Sequence, residues 1–103
     1  MSAAPLKLAK MRKGAEEAAL LMRALGNEDR LLLLCQLSQG ELCVGDLEEK
    51  TGILQPTLSQ QLAVLRDRGL VDTRRDGKQI FYSLGDPGTL AVLKILYERY
   101  CAK

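Results

Sequence analysis

Leu6, Ala9, Leu20, Leu21, Ala24 and Leu25 recur at helical spacing across residues 6–25. Gly14 interrupts the first half, so Leu6 to Lys13 is expected as a separate or frayed turn. The pattern breaks at "GNEDR". Asn27 is placed there to cap a second helix, and Glu28 and Asp29 suit the positive end of its dipole. That helix contains "LLLLCQL"; with apolar residues on every side it is expected to be buried all round, and to end at "SQGE" with Gly40 as its cap. A short helix follows from about Val44 to Lys50, then "TG", then a helix from about Gln55 to Arg68. Pro56 fits the first turn of that helix, where its missing N–H costs nothing, and Gly69 stops it. In "LVDTRRDGKQIFYSL" the period changes to two. Val71, Thr73 and Arg75 alternate, as do Ile80, Tyr82 and Leu84, with Asp76-Gly77 between them as a type I′ hairpin turn. Asp86-Pro87 then caps and opens a last helix carrying Leu90, Val92, Leu93, Leu96, Tyr97 and Tyr100.

The predicted order is helix, helix, helix, helix, hairpin, helix, a mainly α chain of about five helices with a β-hairpin wing. Two helices joined by a short glycine-bearing turn and followed by a two-stranded wing make a winged helix-turn-helix. The second helix of the pair reads "LQPTLSQQLAVLRDRG". Leu58, Leu62 and Leu65 form one core-facing stripe. The other face holds Gln55, Thr57, Ser59, Gln60 and Gln61. These neutral donors and acceptors match base edges in the major groove: glutamine bonds adenine bidentately, and the threonine methyl meets that of thymine. The alternative is an ordinary solvated face. The uncharged run from Ile53 to Leu65 argues for base reading, since a plain surface usually mixes in Glu and Lys. Arg74, Arg75 and Lys78 surround the wing's turn, where cations suit phosphates or a narrow minor groove.

Charge changes the picture only by its distribution. The 103 residues carry a net +2. Residues 1–15 hold four bases and no acid, residues 16–49 a net −6, and residues 50–79 a net +3. An acidic block between basic ones directs the basic parts toward a polyanion. The length fits a single domain over residues 1–103, with residues 1–15 as a basic and frayed extension. No apolar run approaches the roughly 20 residues of a membrane span, and the start lacks a secretory apolar stretch. A cytoplasmic protein with no membrane partner is therefore expected, and its three cysteines read as thiols rather than structural disulfides. No cofactor is expected. With no histidine, no phosphate-binding glycine loop and no nucleophile elbow, the sequence gives no support to an enzyme.

The segment from "ALGNEDRLLLLCQL" through "QPTLSQQLAVLRDRGLV" to "RRDGKQIFYSL" resembles the ArsR family of bacterial one-component repressors, over roughly residues 16–101. The resemblance implies a homodimer built from the first and last helices, with two recognition helices on a palindromic operator and release from DNA by an inducer. Arsenic sensors of the founding type carry three cysteines in "ELCVCDLC". Here the stretch reads "ELCVGDLE", leaving Cys43 alone. Zinc and nickel sensors of the family use histidine, which this chain lacks; a cysteine or mixed cysteine and carboxylate site for metal or arsenic stays open as the alternative. Cys35 on the second helix and Cys101 at the end of the last match a subgroup that senses oxidants or reactive sulfur. In that subgroup the two thiols become linked within one subunit by a disulfide or short polysulfide. The resemblance thus makes Cys35 and Cys101 the sensing pair. Cys43 has no counterpart in it.

Overall fold

The computed structural model describes residues 7–102; residues 1–6, and with them Leu6 and the first part of the basic extension, lie outside the described residues. The elements are α1 (Leu8–Leu25), α2 (Glu28–Leu37), β1 (Leu42–Cys43), α3 (Val44–Thr51), α4 (Thr57–Asp67), β2 (Val71–Asp76), β3 (Gln79–Leu84) and α5 (Pro87–Tyr100). Two predicted caps form. The Asn27 side-chain Oδ1 accepts from the Arg30 N–H at 3.1 Å, and Asp86 Oδ1 accepts from the Gly88 N–H at 3.0 Å, with Pro87 in the first turn of α5. Gly52 ends α3 at φ +75°, a conformation that only glycine adopts without strain.

Several expectations are corrected. Helix α1 runs through Gly14 without a break, so residues 8–15 are helical rather than a frayed extension; Gly14 has open space around it and sits inside an otherwise continuous ladder. Helix α2 ends at Leu37 with Ser38, not Gly40, at its cap, because the next N–H groups, of Gln39 and Gly40, turn back only three residues, to Gln36 and Leu37. Helix α4 starts at Thr57, so Pro56 is its cap and Gln55 precedes it. The wing's two-residue turn is Gly77-Lys78, one position later than Asp76-Gly77. Positive φ falls on Gly77 alone, the pattern of a type II′ rather than a type I′ turn. A third strand, β1, pairs with β3 and gives the antiparallel order β1-β3-β2; two residues are too short to show a period in the sequence.

Leu33, Leu34, Leu47, Leu58, Leu62, Leu65 and Leu93 are buried almost completely and form one core between α2, α3, α4 and α5. The Leu58, Leu62 and Leu65 stripe of α4 faces inward as its spacing requires, which turns the opposite face of that helix to solvent. Helix α2 is not buried all round. Leu32 is 41% exposed and Cys35 is half-buried, because this side of α2 opens on a groove shared with α5. Helix α1 buries only Ala24 and Leu25; Leu8, Met11, Leu20 and Met22 stay exposed.

Candidate DNA-reading face and thiol groove

Gln55, Thr57, Ser59 and Gln60 all stand exposed at the N-terminal end of α4. Proline at the cap position has no side-chain acceptor for the first free N–H groups of the helix. Gln55 supplies one: its Oε1 accepts from the Ser59 N–H at 3.1 Å and the Ser59 hydroxyl at 2.7 Å. The carboxamide NH2 of Gln55 remains a donor toward whatever lies in front of the helix.

Gln61 does not join this row. It is half-buried and turned toward the end of α1. Its Oε1 accepts from Arg30 Nη1 at 3.0 Å, and its Nε2 donates to Asn27 Oδ1 at 3.3 Å. The sequence placed Gln61 with its polar neighbours because a 100° step from Gln60 still falls on the outer half of the helix. The structure finds partners there that periodicity does not see.

The wing divides in the same way. Arg74 lies against β3 with its guanidinium 4.6 Å from the Phe81 ring centroid, and donates two 2.7 Å bonds to the Glu41 carboxylate. This bidentate pair holds the Glu41 carboxyl below the usual carboxylate range. Arg74 therefore staples the segment before β1 to the wing, rather than projecting from the tip. Arg75, opposite Ile80, and Lys78, in the turn, are exposed. The sequence carries no spacing signal for Glu41, since its partner is 33 residues away.

Cys35 and Cys101 line one groove of about 670 Å³ between α2 and α5, together with Leu31, Leu32, Leu96, Tyr97 and Tyr100. Leu25, Gly26, Asn27 and Glu28, at the α1–α2 corner, also line it. Both cysteines are free thiols; Cys35 is half-buried and Cys101, at the C-cap of α5, is exposed. Burial pushes the Cys35 thiol up, and the nearby Cys101 adds to this through like-charge repulsion. A second cavity of about 650 Å³ shares Cys35 and Tyr97 with the groove and is lined otherwise by more polar side chains such as Gln36, Gln39, Lys94 and Glu98. Cys43 sits on β1 opposite Phe81 and lines neither cavity. Among the described residues, no three Cys, Asp or Glu side chains are gathered to hold a metal ion.

The family model for bacterial regulatory proteins of the arsR family matches residues 27–73, which span α2 through α4 and the start of β2. The biofilm growth-associated repressor of Agrobacterium fabrum is 50% identical over 97 residues, covering 94% of this chain and 83% of that protein. This chain belongs to the ArsR family. Its fold is also that of reduced HlyU from Vibrio cholerae, with a TM-score of 0.87 and 40% identity over 91% of this chain and 99% of the other. A homodimeric winged helix-turn-helix DNA-binding domain from Mycobacterium bovis, a possible ArsR-family regulator, gives a TM-score of 0.71 at 27% identity, covering 98% of this chain and 94% of that one. As an ArsR-family chain the protein is a transcriptional regulator that binds DNA, with α4 as the second helix of the helix-turn-helix and β2–β3 as the wing. Its described helices include none long and apolar enough to cross a membrane.

Proposed function

We propose that the protein is a homodimeric cytoplasmic repressor that binds palindromic operator DNA when reduced and is released when Cys35 and Cys101 become linked. The inducer is a persulfide or other reactive sulfur species, or an oxidant. The observation that carries this reading is the single groove lined by both thiols, one half-buried and one exposed. On the DNA side, Gln55, Thr57, Ser59 and Gln60 read bases, while Arg75 and Lys78 contact phosphate or the minor groove. Dimerisation through α1 and α5 is supported by the apolar side chains these helices leave exposed, Leu8, Met11, Leu20 and Met22 on α1 and Ile95, Tyr97 and Tyr100 on α5.

The chemistry follows from the two thiols' surroundings. Cys101 is accessible and attacks first as the thiolate. With a small persulfide RS–SH, it takes the outer sulfur; the donor's S–S bond breaks, RS⁻ leaves, and Cys101 carries –S–SH. Cys35, whose thiol burial keeps protonated, loses its proton to solvent and attacks the Cys101 sulfur. HS⁻ leaves and a disulfide closes. A second sulfur transfer before closure gives Cys101–S–S–SH; attack at its middle sulfur expels HS⁻ and leaves a trisulfide. With a peroxide, Cys101 becomes the sulfenic acid as the O–O bond breaks, and Cys35 expels hydroxide from it. In each case a covalent link ties α2 to α5. Because α5 also belongs to the proposed dimer contact, the link alters the separation of the two recognition helices, which must match half-sites roughly 34 Å apart.

The test is mass mapping combined with operator binding. After treatment with glutathione persulfide, the parent protein and Cys43→Ser should both gain a Cys35–Cys101 link and lose operator affinity. Cys101→Ser should bind operator and ignore the persulfide. Release of Cys101→Ser as readily as the parent would remove the pair from the switch.

A further inference from the structure

The thiol groove and the recognition helix are joined by a polar hub that the DNA-reading face does not use. Arg30, on the first turn of α2, donates from Nε to the Ala24 carbonyl at 2.7 Å and from Nη2 to the Arg23 carbonyl at 3.0 Å. It thereby satisfies two of the free carbonyls at the end of α1. Its third bond, from Nη1, goes to Gln61 of α4. Gln61 completes the circuit by donating to Asn27, whose same oxygen caps α2. A separate bond, Arg68 Nη1 to the Leu20 carbonyl at 3.3 Å, ties the far end of α4 to α1 as well. The recognition helix is thus held by two polar contacts, Gln61 at the α1–α2 corner and Arg68 at Leu20 within α1. One of them runs through Asn27, which also lines the groove shared by Cys35 and Cys101.

We infer that Gln61 is a positioning residue: with Arg30 and Asn27 it fixes α4 relative to the α1–α2 corner, and through that corner couples the state of the thiol pair to the recognition helix. A hydrogen-bonded hub of this kind has discrete arrangements rather than a continuous range, because its half-buried members are costly to leave unpaired. Drawing α5 toward α2 narrows the groove and displaces Gly26 and Asn27, which line it. Gln61 then follows Asn27 or loses it, and α4 turns with it. The inference rests on the thiol switch proposed above, and it assigns the path by which that switch reaches DNA.

The experiment compares operator affinity in the reduced and the Cys35–Cys101-linked forms of the full-length protein, for the parent and for variants. The quantity read is the ratio of the two affinities, which measures coupling; couplings of this sort are commonly about 5- to 150-fold. A merely structural Gln61 would shift both affinities and leave the ratio alone. Gln61→Leu, which removes both bonds, should bring the ratio close to one. Gln61→Glu keeps an acceptor for Arg30 but sets an oxygen against Asn27 Oδ1, so it should fold and still lower the ratio. Asn27→Asp keeps both acceptor roles of Asn27 and should retain the parent's ratio. Coupling is reciprocal, so operator DNA should also raise the reduction potential of the Cys35–Cys101 disulfides in the parent, by about 15 mV for a tenfold ratio because the two disulfides of a dimer share one operator, but not in Gln61→Leu. If the parent is released on linking and both Gln61 variants are released by the same factor, Gln61 does not couple the sites and the inference falls alone. If linking leaves the parent bound, the thiol switch itself fails and the coupling fails with it.

Discussion

On the proposed reading face, Gln55, Thr57, Ser59 and Gln60 differ in what they have left to offer DNA. Gln55 and Ser59 spend part of their hydrogen-bonding capacity on the start of α4, whereas Gln60 is exposed and free of that duty. Gln60→Ala should therefore cost about 1–3 kcal/mol on the specific operator and little on random DNA, measured by competition binding; equal losses on both would remove Gln60 from base reading. Arg75 and Lys78 should each contribute about one unit to the salt dependence of binding. Arg74, committed to Glu41 and Phe81, should leave that slope unchanged when replaced by alanine. Binding isotherms across a salt series separate these outcomes. Cys35 carries a pH prediction. Its thiol is held up first by burial and then by Cys101, so its alkylation rate should keep rising at pH values where an unburied thiol has levelled off. Cys101→Ser removes the smaller cause only, so the inflection should move down but stay above that of an unburied thiol. An inflection unmoved by this substitution would show that the two thiols do not sense each other's charge.

At the level of elements, the core stripe of α4 sets the direction of its outer face. Leu62 is buried almost completely in the core, and Leu62→Ala should destabilise the fold by about 2–5 kcal/mol in denaturant titrations. A loss below about 1 kcal/mol would mean that α4 is not anchored by this stripe. Periodicity and caps made most of the elements legible: the Leu58, Leu62 and Leu65 spacing, Asn27 and Asp86 as caps, and two paired strands after Leu70 all reappear, although burial along β3 does not alternate and Ile80 is exposed near the wing's tip. What escaped was decided by contacts distant in sequence. Strand β1 exists because Leu42 and Cys43 pair with Tyr82 and Phe81. The turn shifted by one residue because Asp76 pairs with Gln79 and leaves Gly77-Lys78 as the loop. The exposed flank of α2 could not be read from "LLLLCQL", since a leucine facing a groove looks the same in sequence as one facing the core. In the candidate site, residue types and positions were legible, but not their division of labour. Gln61 and Arg74 have the chemistry of DNA contacts, and only the fold shows Asn27, Arg30 and Glu41 already beside them.

For the whole molecule, one chain leaves apolar surface on its first and last helices and presents one reading helix and one wing. The proposed palindromic operator requires two such chains at fixed spacing, so the proposed regulation needs only a change in the relation between subunits. The thiol groove lies on the last helix, against the side of α2 that remains open, where the proposed covalent link would bear on that relation. The most direct measurement is a fluorescence-anisotropy titration of a labelled operator with the reduced protein and with the same protein after Cys35 and Cys101 have been linked and the link verified by mass. The account predicts tight, salt-dependent binding by the reduced dimer and a loss of at least about tenfold on linking, restored by dithiothreitol. Equal affinity of the reduced and linked forms would contradict it.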